Sequence, residues 1–169
     1  MHPIIAGGLL IGGLCASWIF TTGFTGLYKE PAMTSLFVPI VMTLEIAALI
    51  WALRKTAAMG RSYSGQVVAG TLMAMIGSII IFAASIIFTT VLYPHSFAEV
   101  NEMSREVMRK AGQSEEQIKA AIDAAAPGQT PVMSALFGVI GAMMTGIIAS
   151  AIIAIWVRAR GDRRDAAGA

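Results

Sequence analysis

Charge is scarce in this sequence. Of 169 residues, 13% are Asp, Glu, Lys or Arg, where soluble domains carry about 25%. The net charge of +2 and the isoelectric point near 8.9 come from loop ends. There is no basic stripe of the kind a nucleic-acid partner requires. Cysteine occurs once, as Cys15, so no intrachain disulfide is possible; its plain reading is a small apolar residue inside a helix. The two histidines, His2 and His95, stand far apart in the chain. There is no His-Glu-x-x-His, no cysteine pair, no Gly-x-Ser-x-Gly and no phosphate-cradling Gly-Lys-Ser/Thr. No histidine stands inside an apolar run to ligate haem, and the 11 methionines spread along the chain read as gap-filling. The expectation is a non-enzymatic protein with no catalytic residue, no metal, no cofactor and no nucleic-acid partner.

What the chain has is apolar length. Apolar residues make up 56% of it, and its mean hydropathy is +0.72. Residues 3–27, 66–92 and 129–157 hold no charge, and residues 32–53 hold one, Glu45. About 20 such residues in a helix cross the hydrocarbon core of a bilayer. The fold class expected is an all-α integral membrane protein with the lipid bilayer as its surroundings. It is a four-transmembrane-helix bundle over about 3–25, 32–53, 65–92 and 132–157, with a short amphipathic helical hairpin between helices three and four. Residues 93–131 form the loop that carries this hairpin, and 158–169 a basic tail. One membrane domain fills the chain, because no polar stretch is long enough to fold alone. A cleaved signal peptide is not expected: no Lys or Arg opens the first run, and the run is too long for a signal h-region.

Small residues recur four apart. Gly8, Gly12 and Ala16 form one row in the first span, and Gly13, Ser17 and Thr21 another. Gly70, Ala74 and Ser78 form a row in the third span. The longest row is in the fourth: Ser134, Gly138, Ala142, Gly146, Ser150 and Ala154. Residues four apart share a helix face, and small ones let a second backbone approach closely. The plain reading is packing inside the chain's own bundle; the alternative is a seam with another copy or another membrane subunit.

The connections carry their own signals. The loop at 28–31 is short, so the first two spans are antiparallel neighbours. Pro39 cannot donate to the carbonyl of Ser35, which predicts a kink. Ser62 or Ser64 can cap the third span. Ser96 with Glu99, and Ser114 with Gln117, have capping-box spacing, and Gly112 between them is a stop. Phe97, Val100, Val107, Met108 and Ala111, then Ile118, Ala121, Ile122 and Ala125, recur at helical spacing among charges. They predict two short amphipathic helices over the mouth of the bundle or in the headgroup layer.

Lys and Arg beside span ends mark the cytoplasmic side. The 54–64 link carries Arg54, Lys55 and Arg61, and the tail carries Arg158, Arg160, Arg163 and Arg164. The 93–131 loop carries a surplus of acids. Both termini are therefore expected inside and the acidic loop outside. Trp51, Tyr63 and Trp156 fall at the inner boundary, Tyr28 and Tyr93 at the outer one, as aromatic belts require.

The order of these segments resembles a known family. Gly60-Arg61-Ser62-Tyr63-Ser64-Gly65-Gln66 opens the third span, and Tyr93-Pro94-His95-Ser96-Phe97 closes it. An acidic stretch with Gly112-Gln113-Ser114-Glu115-Glu116-Gln117-Ile118 follows, then a last span led by Pro131 and a basic tail. This is similar to the bacterial four-span proteins catalogued as domain of unknown function 4199, over nearly the whole chain. The resemblance implies four helices and an inner-membrane location. It brings no activity, so no functional residue is carried over. Such proteins commonly show Gly-Gly or Gly-Lys before the Ser-aromatic segment; Gly60-Arg61 departs from that.

Glu45 is the one ionisable acid or base inside the apolar runs. It stands nine residues from Arg54, about 13 Å along a helix, too far for so short a side chain to snorkel. An ionised acid at mid-span costs about 3 kcal/mol on insertion scales. A neutral carboxyl turned into the bundle is expected instead, paired with hydroxyls such as Thr43, Ser78 or Ser85. The plain reading is a hydrogen-bonded packing residue. The leading function is a structural or accessory component that packs with membrane subunits or with itself. The alternative is a small proton- or cation-coupled carrier using Glu45, with Ser35, Thr43, Ser78, Ser85, Ser134, Thr145 and Ser150 lining its path.

Overall fold

Each long helix begins where the sequence supplies a start. The computed structural model describes residues 2–167, with side chains described from His2 to Val157. Helix α1 runs Pro3–Phe24, led by a proline, with the His2 side chain accepting the Ile4 N–H at 3.4 Å. A short turn, Leu27–Lys29, leads to α2, Pro31–Ala57, again proline-led. Helix α3, Tyr63–Ile87, is capped by Ser62, whose hydroxyl accepts the Gly65 N–H at 3.3 Å. It ends in one wider turn, Phe88–Leu92. Two short helices follow, α4 (Ser96–Lys110) and α5 (Glu115–Ala125), and α6 runs Pro131–Ala167. Among the described residues there is no strand. The helical backbone of α6 continues through the basic tail, whose arginine side chains lie outside the described residues.

Four helices, Pro3–Phe24, Pro31–Ala57, Tyr63–Leu92 and Pro131–Val157, are long and apolar enough to cross a membrane. Helix α1 stops one residue short of the expected Thr25, and α2 extends four residues beyond the expected Leu53. The chain is thus a multi-pass helical membrane protein. Helix α3 is its middle member, packed along α1 on one side and α6 on the other. Helix α2 closes the ring between α1 and α6 and touches α3 less.

Glycine sets the two main seams. A Cβ placed on Gly12 would lie 2.6 Å from Ile80 Cβ and 3.1 Å from Gly77 O; one on Gly77 would lie 2.7 Å from Ile11 Cγ2. Helices α1 and α3 are parallel, since Gly7 meets Met73, Gly12 meets Gly77 and Gly23 meets Phe88. Helices α3 and α6 are antiparallel. Gly70 meets Ser150, Ala74 meets Gly146, and Gly138 approaches Ile81. Backbones this close gain dispersion contacts that bulky side chains would forbid, which is the main attraction left where lipid is as apolar as the core.

The local signals held unevenly. Ser114 caps α5 with a complete capping box, and α4 stops just before Gly112, which has φ +81°. Helix α2 is continuous through Pro39. The expected box at Ser96 and Glu99 does not form: His95 occupies the cap position, and Ser96 Oγ is buried without a partner. Glu99 is drawn away by Tyr28 and Lys29 from the first loop.

Candidate functional site

The buried face of α2 explains where Glu45 goes. Its buried residues are Glu45, Ala48, Leu49, Ala52, Leu53 and Thr56. These are spaced three and four apart, one stripe of a helix. Glu45 heads that stripe and is 1% exposed. It lies between two apolar clusters. Toward the termini stand Ile11, Leu49, Leu53, Ala69 and Met73; toward the α4–α5 end stand Cys15, Ile19, Ile81, Phe88 and Ala142.

The missing side chain of Gly146 makes room for the carboxyl. A Cβ placed there would meet Ala74 Cβ and lie 3.1 Å from Glu45 Oε1. Glu45 Oε1, Ser78 Oγ and Ser150 Oγ are all buried without a hydrogen-bond partner. Ser150 is one turn along α6 from Gly146, and Ser78 one turn along α3 from Ala74. The Cys15 thiol on α1 is also fully buried. Among the described residues no salt bridge involves Glu45. An unpaired buried polar atom costs roughly 1–3 kcal/mol; these three stand on successive turns, with Ser150 beside Gly70, Glu45 beside Gly146 and Ala74, and Ser78 one turn further along α3.

The other candidates fall as follows. Thr43 is exposed and its hydroxyl donates to the Pro39 carbonyl at 2.8 Å, so it faces away from Glu45. Ser85 is half-buried, and its own carbonyl accepts the Thr89 hydroxyl at 2.8 Å. Gly8 and Gly12 lie against α3. Along α6, Ser134 is half-buried and Gly138 exposed, whereas Ala142, Gly146 and Ser150 are buried. Gly13, Ser17 and Thr21 are exposed, and nothing lies within 4 Å of a Cβ placed on Gly13.

Three polar groupings escaped sequence reasoning. Gln66, 1% exposed, accepts the Thr56 hydroxyl at 2.6 Å and ties the ends of α2 and α3 together. The signal was present: an amide at the start of one apolar run and a hydroxyl at the end of the one before it. The second is at the opposite end. The Tyr28 hydroxyl donates to Glu99 Oε2, and Lys29 Nζ lies 3.2 Å from Glu99 Oε1. Tyr28 also packs against Phe88 and Tyr93, with ring centroids 6.0 and 5.6 Å away. The Tyr28 hydrogen bond, then Lys29, holds the Glu99 carboxyl below the usual glutamate range, while the Glu99 partner raises Lys29. Asn101 and Gln129 exchange two amide hydrogen bonds, 2.6 and 2.8 Å, and so tie α4 to the approach to α6.

Four apolar helices around one buried carboxyl define a small polytopic membrane protein with a polar centre. Residues 6–159 match the family described as "Protein of unknown function (DUF4199)", and the chain belongs to that family. No curated protein and no solved structure matches it.

Proposed function

We propose that this protein is a non-enzymatic component of a bacterial inner membrane that packs with other membrane subunits or with copies of itself. The observation that supports this reading is uneven coverage. Within an apolar 18-residue stretch of each span, 44% of the residues are buried in the first and 39% in the third, but 28% in the second and in the fourth. No residue of α2 from 31 to 44 is buried, and Gly141 on α6 has nothing within 4 Å of its Cβ position. Helices α2 and α6 therefore have surface to spare for a neighbouring helix, and exposed small residues on which one can sit closely. In this reading the termini are cytoplasmic, beside Arg54, Lys55 and Arg61. Helices α4 and α5 form an extracytoplasmic hairpin, held at its turn by Arg109 and Glu115 at 2.8 Å. The test is isolation in mild detergent with mass measurement of the intact particle. An oligomer or a stoichiometric partner is expected; a strictly monomeric particle without partner refutes the reading.

A second reading is a small proton- or cation-coupled carrier, favoured by the unpartnered oxygens of Glu45, Ser78 and Ser150. Its test is flux through proteoliposomes holding the native chain or Glu45→Gln. Equal flux in both, or none in either, refutes it.

A further inference from the structure

We propose that the α4–α5 hairpin is a latch with two settings. In one, the setting of this structure, Glu99 fastens α4 to the loop between α1 and α2. In the other, Glu99 turns back to cap its own helix together with Ser96, and the hairpin is released from that loop.

The fastened setting is held by few bonds. Glu99 Oε2 accepts the Tyr28 hydroxyl and Glu99 Oε1 lies 3.2 Å from Lys29 Nζ. Both carboxylate oxygens are thus turned toward the loop. The other polar tie of the hairpin, Asn101 with Gln129, joins it to its own connection with α6. Once Glu99 lets go, that amide pair is left as a pivot.

The start of α4 is left incomplete by this arrangement. His95 takes the cap position and its side chain caps nothing. Ser96 is 5% exposed, and its Oγ is buried without a partner. The Ser96 N–H donates to the Tyr93 carbonyl at 3.0 Å and the Glu99 N–H to the His95 carbonyl at 3.0 Å. A buried hydroxyl with no partner is destabilising, so the fastened setting carries a local defect that a different use of the same residues would remove.

The sequence contains that different use. Ser96 and Glu99 have the spacing of a capping box. The same spacing at Ser114 and Gln117 forms the complete box that opens α5. There Gln117 Oε1 accepts the Ser114 N–H at 2.9 Å and Ser114 Oγ accepts the Gln117 N–H at 3.3 Å. Starting α4 one residue later gives Ser96 the extended backbone of a cap residue. Its orphaned Oγ then accepts the Glu99 N–H, and the Glu99 carboxylate accepts the Ser96 N–H. Tyr28 and Lys29 lose their partner. Two arrangements that compete for one carboxylate make a bistable element, and whatever binds one of them better shifts the population. The Lys29 and Glu99 side chains are 53% and 39% exposed, so salt weakens the fastened setting.

The test is double electron–electron resonance on the full chain in lipid nanodiscs, in a Cys15→Ala background. Nitroxides are placed at Thr25→Cys and Glu116→Cys, both exposed positions. Tyr28→Phe should raise the ratio of a second distance to the first about tenfold or more, and the surface substitution Lys29→Met about two- to fivefold. Glu99→Gln should raise it too, because glutamine still completes a capping box but has no charge for Lys29. Raised salt should act in the same direction. Adding Ser96→Ala to Lys29→Met or to Glu99→Gln should lower the ratio about fivefold, as loss of a cap requires. One distance in all variants, a second distance that Ser96→Ala leaves undiminished, or a second distance that salt depletes overturns the proposal.

Discussion

Replacing Gly12 by alanine places a methyl carbon 2.6 Å from Ile80 Cβ and 3.1 Å from the Gly77 carbonyl oxygen. Carbon atoms rest at about 3.5–4.0 Å, so the shortfall against Ile80 is roughly 1 Å. Neither neighbour is the free end of a flexible side chain: one is a Cβ, the other backbone. The α1–α3 seam must therefore open, and the adjoining contact between Ile11 and Gly77 loosens with it. Overpacking of this kind costs about 1–3 kcal/mol. The adjacent residue is the control. A Cβ on Gly13 meets nothing within 4 Å, so Gly13→Ala should change stability by less than about 0.5 kcal/mol. The assay is equilibrium unfolding in mixed micelles titrated with dodecyl sulfate, followed by fluorescence of the 3 tryptophans. Gly12→Ala should shift the unfolding equilibrium by roughly five- to more than a hundredfold relative to Gly13→Ala, since 1.4 kcal/mol is about tenfold. Equal midpoints, or a larger loss from Gly13→Ala, would refute parallel packing of α1 on α3.

Three further outcomes follow from the polar contacts. Thr56→Val removes the hydroxyl that Gln66 accepts and should cost about 1–3 kcal/mol in the same titration, with most of it restored by adding Gln66→Leu. Asn101→Ala and Gln129→Ala should be coupled by about 1 kcal/mol in a double-mutant cycle, and additive losses would deny the amide pair. Glu99 has its folded-state acidity constant depressed by Tyr28 and Lys29. Its contribution is therefore full above the unfolded value, about 4.3, and lost as pH falls through the lower folded value. Amide exchange in α4 should quicken over that acid window and become indifferent to pH there in Glu99→Gln.

The four helices were legible because each run of apolar residues is long enough to span and is bounded by Pro, Gly or charge. The inward stripe of α2 was legible too, since Glu45, Ala48, Leu49, Ala52 and Leu53 repeat at helical spacing. The same geometry separates Thr43 from Glu45, because two residues turn a helix through about 200°. What the chain did not disclose was which face meets which. The row Gly138, Ala142, Gly146 and Ser150 announces a close approach without naming α3 as the helix that makes it. Glu99 shows why local signals fail: its capping role depends on three neighbouring residues, whereas Tyr28 stands 71 residues away and takes the carboxyl.

Gly146 and Glu45 share one volume. The carboxyl occupies the space into which a side chain at 146 would project, and Ala74 bounds the same space from α3. The two positions are therefore not free to vary independently. A descendant that gains a side chain at 146 must shorten residue 45 or lose the α3–α6 seam, and one that loses the acid at 45 leaves a hollow that a larger residue at 146 would fill. The polar centre is inherited as a pair across two helices, and its history should be read from both positions together.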